Sequence, residues 1–466
     1  MNIIQQIYEK FLLVGDRICD LLEGGCTYVE FERDLDKELR NLGANITKLV
    51  LEAMDETVKE DKSLRPGWKV VHKGHKKNIL TVFGNVEYSR RYYSNEDTDE
   101  NAYLVDRIIG VEKHGRIDST VKANVVDLAT ELSYGKAALE IEKDIGQYGM
   151  SRQTVMNILR RTAVPAKKTD GRKKQKRVLY VEADEDHVSL QFGKQKSALA
   201  KLVYIHEGID NRNWRPMLKN ARYFAGVYEG RKYYKLWEEV WEYIENTYDV
   251  DKLERIFVSG DGASWIYKGV EFLPNAVFVL DRYHLTKYIN SATVTSEDLR
   301  RPIYKGIDEL DFKRIEKALK EADKLAETKT HKKAVRDCKR YIKNNWEGIE
   351  AYQKYSEDIV GCSAESHVSH ILSARLSTRP CGWSKPGVDK MSKLRAAKAS
   401  GINIRKALYQ EFGSSLDPMV ISKNIIAEQR KALKTAAPME SIGNIPILQS
   451  GASYLRRALR GLAFPA

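Results

Sequence analysis

An α/β core flanked by mainly helical regions is the fold class this chain predicts, on three observations. First, VLYVEADEDH (178–187), IFVSGDGASWI around Asp261 and VFVLDRYHL around Asp281 are each a β-rich apolar run that ends abruptly in Asp. Second, charged amphipathic text, IEKALKEADKLAE and KKAVRDCKRYIKNNW, fills the stretch from 300 to 358 that follows them. Third, the N-terminal 62 residues and residues 118–163 space their apolar positions three and four apart, as helices do.

With 466 residues the chain has room for roughly three domains, at about 100 to 200 residues each. A hydrophobic share of 42% supports real cores, and a charged share of 31% an ionised surface. The net charge of +13 favours a polyanionic partner such as nucleic acid. No apolar run nears the ~20 residues a membrane span needs, and MNIIQQIYEKFLLVGDRI mixes charges into its apolar positions, so neither a membrane anchor nor a signal peptide is expected. The cysteines (Cys19, Cys26, Cys338, Cys362, Cys381) are odd in number, scattered and without CxxC spacing. They suit a reducing cytoplasm, and a zinc site at Cys362, His367 and His370 lacks a fourth ligand at motif spacing.

Residues 1–62 are expected to form a helical region, interrupted at Gly24-Gly25, that serves packing or dimerisation. In 63–115 the pattern turns to strands, and Gly84-Asn85 between two β-prone runs predicts a hairpin turn. Its cations Lys73, His75, Lys76, Lys77, Arg90 and Arg91 interleave with Tyr88, Tyr92 and Tyr93, which suits nucleic-acid contact and a solvated edge hairpin equally. Residues 116–164 have helix-turn-helix texture: a helix over Lys136 to Asp144, a short turn, and SRQTVMNILRR with Ser151 as N-cap and Val155, Ile158 and Leu159 buried. Arg152, Gln153, Asn157, Arg160 and Arg161 then lie outward, where they can meet phosphates or base edges. PAKKTDGRKKQKR (165–177) is a basic linker by composition.

From 178 to 299 the order of elements is the informative feature. The strand entering Asp184 is followed by β-prone segments at 188–192, 202–206 and around 223–228, a helix (233–248), the Asp261 strand, a short helix and the Asp281 strand. With three of these four segments as strands, the order three strands, a helix, a strand, a helix and a strand is that of an RNase H-like core, with one acid on the first strand and another just after the fourth. Two divalent ions about 3.5 to 4 Å apart, bridged by a shared carboxylate, can drive an in-line displacement at phosphorus there. Asp184 is the natural bridging carboxylate and Asp261 the second ligand. Glu182, Glu185 and Asp186 compete with Asp184, because a one-residue shift of strand exit changes which acid points inward.

VEADEDHV, SGDGASWI, LPNAVFVLDRYHL and CSAESHVSHILSARLSTRPCGWS resemble, in order and wording, insertion-sequence transposases of the ISLre type, within the Mutator-like DDE group, over nearly the whole chain. The resemblance implies a catalytic and metal-binding triad of Asp184, Asp261 and Glu365, the last beyond an all-helical insertion at 300–360 on a core helix at 361–385. It makes Asp281 with His284 a DxxH signature, of site support or DNA contact. His367, His370, Arg375 and Arg379 near Glu365 could hold DNA phosphates, and Trp383 could stack on a distorted base. The basic region 386–466 is expected to be helical and DNA-facing.

The function expected is therefore a DNA transposase that binds terminal inverted repeats and target DNA. It would use two Mg²⁺ or Mn²⁺ ions per site, act as a homodimer or higher oligomer, and sit in the cytoplasm, on the nucleoid when bound to DNA. The alternatives are a domesticated nuclease of the same chemistry and a DNA-binding regulator with an inactive core.

Overall fold

A computed structural model of the chain describes residues 3–431, apart from 147, 148, 167–170, 192, 212–215, 380, 381, 425, 428 and 429. The chain divides into two compact units, 1–158 with 405–466 and 159–404.

The first unit begins with α1 (Ile3–Glu23) and α2 (Tyr28–Glu60). Thr27 starts α2 with a capping box: its hydroxyl accepts the Glu30 N–H, and the Glu30 carboxylate accepts the Thr27 N–H at 2.8 Å. The strands β1 (Trp68–Thr81) and β2 (Gly84–Asn95) form an antiparallel hairpin, joined by the two-residue β3 (Asn101–Ala102). Thr81 pairs with Gly84, so the turn is Val82-Phe83 and not the expected Gly84-Asn85. Gly84 (φ +108°) opens the second strand, and the Thr81 hydroxyl closes the turn between the Phe83 N–H and the Gly84 carbonyl. Leu51 and Met54 of α2 pack on Ile79, Val86 and Tyr88 of the hairpin.

Several hairpin cations are taken up internally. Arg91 binds Asp55 (2.7 Å) and Glu56 (2.5 Å), Lys76 binds Glu87 (2.9 Å), and Arg90 pairs with Asp106, both buried. Burial, with Arg90 and Arg116 nearby, lowers the Lys77 ammonium to about 8. These are fold-holding contacts, which weakens the case for a nucleic-acid surface on this hairpin.

After α3 (Leu104–Ile108) come α4 (Ser119–Glu131), α5 (Tyr134–Ile145) and α6 (Arg152–Arg161). Ser133 caps α5, and Gly146, left-handed at φ +71°, ends it. The Ser151 hydroxyl accepts the Thr154 N–H at 3.2 Å at the start of α6. Val155, Ile158 and Leu159 are buried, while Arg152, Gln153, Asn157, Arg160 and Arg161 are exposed.

The second unit is built on β4 (Val178–Ser189), β5 (Ser197–His206), β8 (Arg222–Val227), β9 (Arg255–Gly260) and β10 (Ala276–Leu280). Between β5 and β8 a small pair, β6 (Ile209–Asp210) and β7 (Met217–Leu218), stands apart. The sheet order is β10-β9-β4-β5-β8, with β5 antiparallel to both neighbours and the other pairings parallel. The segment expected as a separate strand at 188–192 is the end of β4, which runs on to pair Ser189 with Ser197; Phe192 lies outside the described residues. α7 (Tyr234–Thr247) and α8 (Ser264–Phe272) cover the face that carries Leu179, Val181 and Ala183.

α9 (Arg282–Ala292) leaves β10 and leads into α10 (Arg300–Asp308), α11 (Phe312–Leu325), α12 (Lys329–Asn344) and α13 (Trp346–Lys354). Ile303, Ile315, Val335 and Ile342 of this insertion share one core with Leu285 and Ile289 of α9. The other face of the sheet packs Phe257 and Val279 on Ala351 and Tyr355. Then follow α14 (Ala364–Val368), a π-helical turn (Ser369–Ser373), α15 (Ala374–Leu376) and α16 (Lys385–Ala399), which lies on β8. α17 (Ile404–Ser414) belongs to the first unit from Arg405 on, and 432–466 of the C-terminal region expected to face DNA lie outside the described residues.

Candidate active site

Three mutually parallel strands bring acids side by side: Asp261 and Asp281 directly follow β9 and β10, whereas Asp184, expected at a strand end, lies within β4, which continues to Ser189 along β5. β4 and β9 pair as far as Glu182 with Ser259, so Asp184 and Asp261 each stand two residues further along adjacent strands. β10 pairs Leu280 with Gly260, and the Asp281 N–H donates to the Gly260 carbonyl at 2.9 Å. The carboxyl ends of parallel strands are where open α/β sheets place their ligands.

The four acids of VEADED have separate surroundings. Glu182 is 2% exposed and accepts from the Tyr204 hydroxyl (2.5 Å), the His206 Nε2–H (2.9 Å) and the Ser363 N–H (2.5 Å). Burial alone would raise its pKa, but these hydrogen bonds, His206 first, hold it below the ordinary range. Asp184, two residues on along the same face, is buried and accepts the Glu185 N–H at 2.8 Å. Burial pushes it up to about 7, with Asp261 and Glu365 adding to the rise and the Glu185 N–H and His284 opposing it. Glu185 pairs with Lys201, whose ammonium lies 4.1 Å from the Trp265 ring centroid. Asp186 accepts the Ser377 hydroxyl at 2.9 Å.

Asp261 Oδ1 accepts the Ala263 N–H at 2.9 Å, and its carbonyl accepts the Tyr341 hydroxyl of α12 at 2.7 Å. Gly262 beside it has φ +86°, and an added Cβ would meet the Asn345 amide at 2.1 Å. Asp281 is buried and fully engaged: one oxygen caps α9 through the Tyr283 N–H (3.0 Å), and the other meets His284 Nδ1 at 2.8 Å. His284 Nε2 then lies 3.9 Å from the carboxylate of Glu365, which is 54% exposed on α14. The hydrogen bond to Asp281 raises the pKa of His284 against burial, with Asp184 and Asp261 adding to the rise.

The neighbours of Glu365 divide. His367 is turned inward, with Nδ1 3.1 Å from the Tyr223 hydroxyl and its ring against Tyr204, and burial lowers its pKa. Arg375 is buried with its guanidinium 4.8 Å from the Trp383 ring centroid. Trp383, which by type is more often a core residue than a base-stacking one, is core here at 4% exposed: its indole N–H donates to the Leu376 carbonyl (3.0 Å) and its own carbonyl accepts the Gln191 N–H. His370 and Arg379 are exposed. Sequence reasoning missed Lys201, Tyr204, His206 and Ser363; the alternation in KLVYIHEG, which gives Tyr204 and His206 one face of β5, was the available signal.

Among the described residues no three His, Cys, Asp or Glu side chains stand together as a metal-holding group. The donors of Asp184, Asp261 and Glu365 are nevertheless all carboxylate oxygens, which Mg²⁺ and Mn²⁺ prefer. Burial, and after it the like charge of Asp261 and Glu365, raises Asp184, and a cation would offset both. In donor chemistry the residues fit such an ion.

Residues 21–412 match the uncharacterised protein family UPF0236. The chain belongs to that family. A UPF0236 protein of Caldanaerobacter subterraneus subsp. tengcongensis is 39% identical over 467 residues, covering 100% of this chain and 96% of the relative. Another from the same organism is 39% identical over 448 residues, covering 96% of this chain and 94% of its own. A UPF0236 protein of Streptococcus gallolyticus, named for its place in the vanSb 3' region, is 26% identical over 366 residues, covering 76% of this chain and 78% of its own. The UPF0236 match takes in Asp184, Asp261, Asp281 and Glu365.

Proposed function

We propose that this UPF0236 protein is a DDE-type DNA transposase with an RNase H-like core, in which Asp184, Asp261 and Glu365 form the catalytic site. The carrying observation is that Asp184 and Asp261 stand on adjacent parallel strands, each two residues past their last pair, with Glu365 from a helix nearly two hundred residues on lying in the same electrostatic field. The sheet supports the reading: in sequence order its five main strands stand 5-4-1-2-3, with only the second reversed, as an RNase H-like core requires. A second support is the name of the relative aligned over 448 residues, which joins eleven locus designations of one organism. Many loci for one protein is what a segment of DNA that copies or moves itself leaves behind.

Asp184, Asp261 and Glu365 would hold the Mg²⁺ or Mn²⁺ ions, which when bound supply an activated oxygen nucleophile and charge stabilisation at phosphorus. The carboxylates fix where the scissile phosphate can sit. The water oxygen would bond to phosphorus as the bond to the 3′ oxygen breaks and that oxygen takes up a proton; the freed 3′-hydroxyl would then bond to a target phosphorus as the target's own P–O3′ bond breaks, leaving a 3′-hydroxyl on the target strand. Exposed Arg152, Gln153, Asn157, Arg160 and Arg161 on α6 are suited to hold the element ends.

Purified protein with element-end DNA and Mn²⁺ tests the proposal. Asp184→Ala, Asp261→Ala and Glu365→Ala are each expected to lower cleavage and strand transfer by at least about a thousandfold while leaving end binding intact. Unchanged cleavage in all three would overturn it.

A further inference from the structure

We propose that Glu182 is a positioning residue: it ties the start of α14 to β4 and so sets where Glu365 stands relative to Asp184. This rests on the assignment of Glu365 to the catalytic site.

Glu182 and Asp184 project from the same face of β4 two residues apart, and Asp184 lies in the field of Asp261 and Glu365. The Glu182 carboxylate is directed to the segment that precedes Glu365. Its Oε2 accepts the Ser363 N–H at 2.5 Å and the Ser363 hydroxyl at 3.3 Å, and Ser363 is the residue immediately before α14. The N–H groups at a helix start have no partner within the helix. A buried carboxylate from the sheet supplies one here, in a charge-assisted hydrogen bond.

The anchor is itself held in place. Tyr204 and His206, on the same face of β5, donate to the two carboxylate oxygens, and the Tyr204 hydroxyl also lies 3.0 Å from that of Ser363. His206 Nε2 must carry the proton it gives to Glu182, and the Gly208 N–H donates to its Nδ1 at 3.2 Å. One turn further on, His367 of α14 lies against Tyr204 and Tyr223. Strand β4 therefore serves the site twice, presenting Asp184 and, through Ser363, fixing the helix that brings Glu365 to it. Glu365 is 54% exposed, so its position depends on the backbone that carries it.

Glu182→Gln keeps the size of the side chain but turns an amide N–H₂ toward one or more of these donors. Three measurements on the full chain separate the outcomes. Amide hydrogen exchange across 363–368 is expected to speed up by at least about tenfold in Glu182→Gln, with β4 and β5 unchanged. Mn²⁺ affinity by calorimetry and kcat for end cleavage should each fall about 10- to 100-fold, as when a group supporting metal ligands is lost, with end-DNA affinity unchanged. Asp184→Ala should abolish Mn²⁺ binding and leave exchange at 363–368 as in wild type.

Unchanged exchange in a folded Glu182→Gln protein overturns the anchor. Changed exchange with unchanged Mn²⁺ affinity and kcat overturns its role in positioning Glu365. Absence of Mn²⁺ binding by the wild type instead overturns the assignment of Glu365 as a metal-binding residue, whatever the exchange shows. Should Glu182→Gln fail to fold, the wild-type Ser363 amide decides: it lies outside α14, and the anchor requires it to exchange slowly, whereas fast exchange refutes it.

Discussion

Within one strand, three carboxylates two residues apart have three different fates. Glu182 is saturated by donors, Asp186 is met by Ser377, and Asp184 is held buried with like charges around it. The consequence for stability has a definite sign. Asp184 moves from an ordinary 3.8 to about 7, so between those values the folded chain keeps a proton that the unfolded chain releases. Its contribution to stability is thus lost as pH rises through that window. Asp184→Asn, neutral throughout, should stabilise the metal-free protein by roughly 1–3 kcal/mol at pH 8 and by almost nothing near pH 4. Thermal melts in chelator at the two pH values read this directly, and equal shifts at both would refute it. The sequence could not choose among these acids, because VEADED offers them at every register; Tyr204, His206 and Ser363, far along the chain, single out Glu182 as the one already spent.

The helix that carries Glu365 is held at both ends by side chains from other elements. Glu182 meets its start, and the π-helical turn that follows it is met by Arg395 of α16, whose guanidinium donates to the carbonyls of His370 (2.6 Å) and Ile371 (2.7 Å). A π turn breaks the regular ladder and recurs at functional sites. Arg395→Ala leaves those carbonyls without this fork and should cost about 1–3 kcal/mol, and Arg395→Lys should recover only part, since an ammonium lacks the planar fork. A urea midpoint for Arg395→Ala equal to that of wild type would contradict this. Such elements show how far sequence patterns reach. The apolar runs of β4, β9 and β10 are legible because buried parallel strands are apolar almost throughout. The hairpin turn was misplaced because Gly84 has the composition of a turn residue but serves as the first pair of β2, with the Thr81 hydroxyl closing the turn instead. The 188–192 segment was split off because a long strand with a polar stretch in its middle reads as two.

At the scale of the whole molecule, the acids brought to one edge of the sheet come from positions 184, 261 and 281, and no local pattern states that their strands are neighbours. What sequence did convey was the order of strands and helices and the excess of cations. That excess, +13 over the chain, has an uneven meaning. Arg90 and Arg91 of the hairpin serve internal carboxylates, Lys174 and Lys176 both bind Glu207, and Arg177 binds Glu254 and Asp358. Exposed Arg152 and Arg160 on α6 stand outside those ion pairs. If α6 meets a DNA backbone, binding to end DNA should weaken linearly in log–log plots against salt, with a slope near 0.9 for each phosphate neutralised. Arg152→Ala should then lower affinity and reduce that slope by about 0.9, and Arg90→Gln should act on thermal stability instead. The distinction rests on where each cation's partner lies: an arginine whose carboxylate is inside the fold has no counterion to release, whereas one that replaces solvent ions at a phosphate does. Fluorescence anisotropy of end DNA across a salt series measures both slopes, and a slope unaffected by Arg152→Ala would remove α6 from the DNA interface.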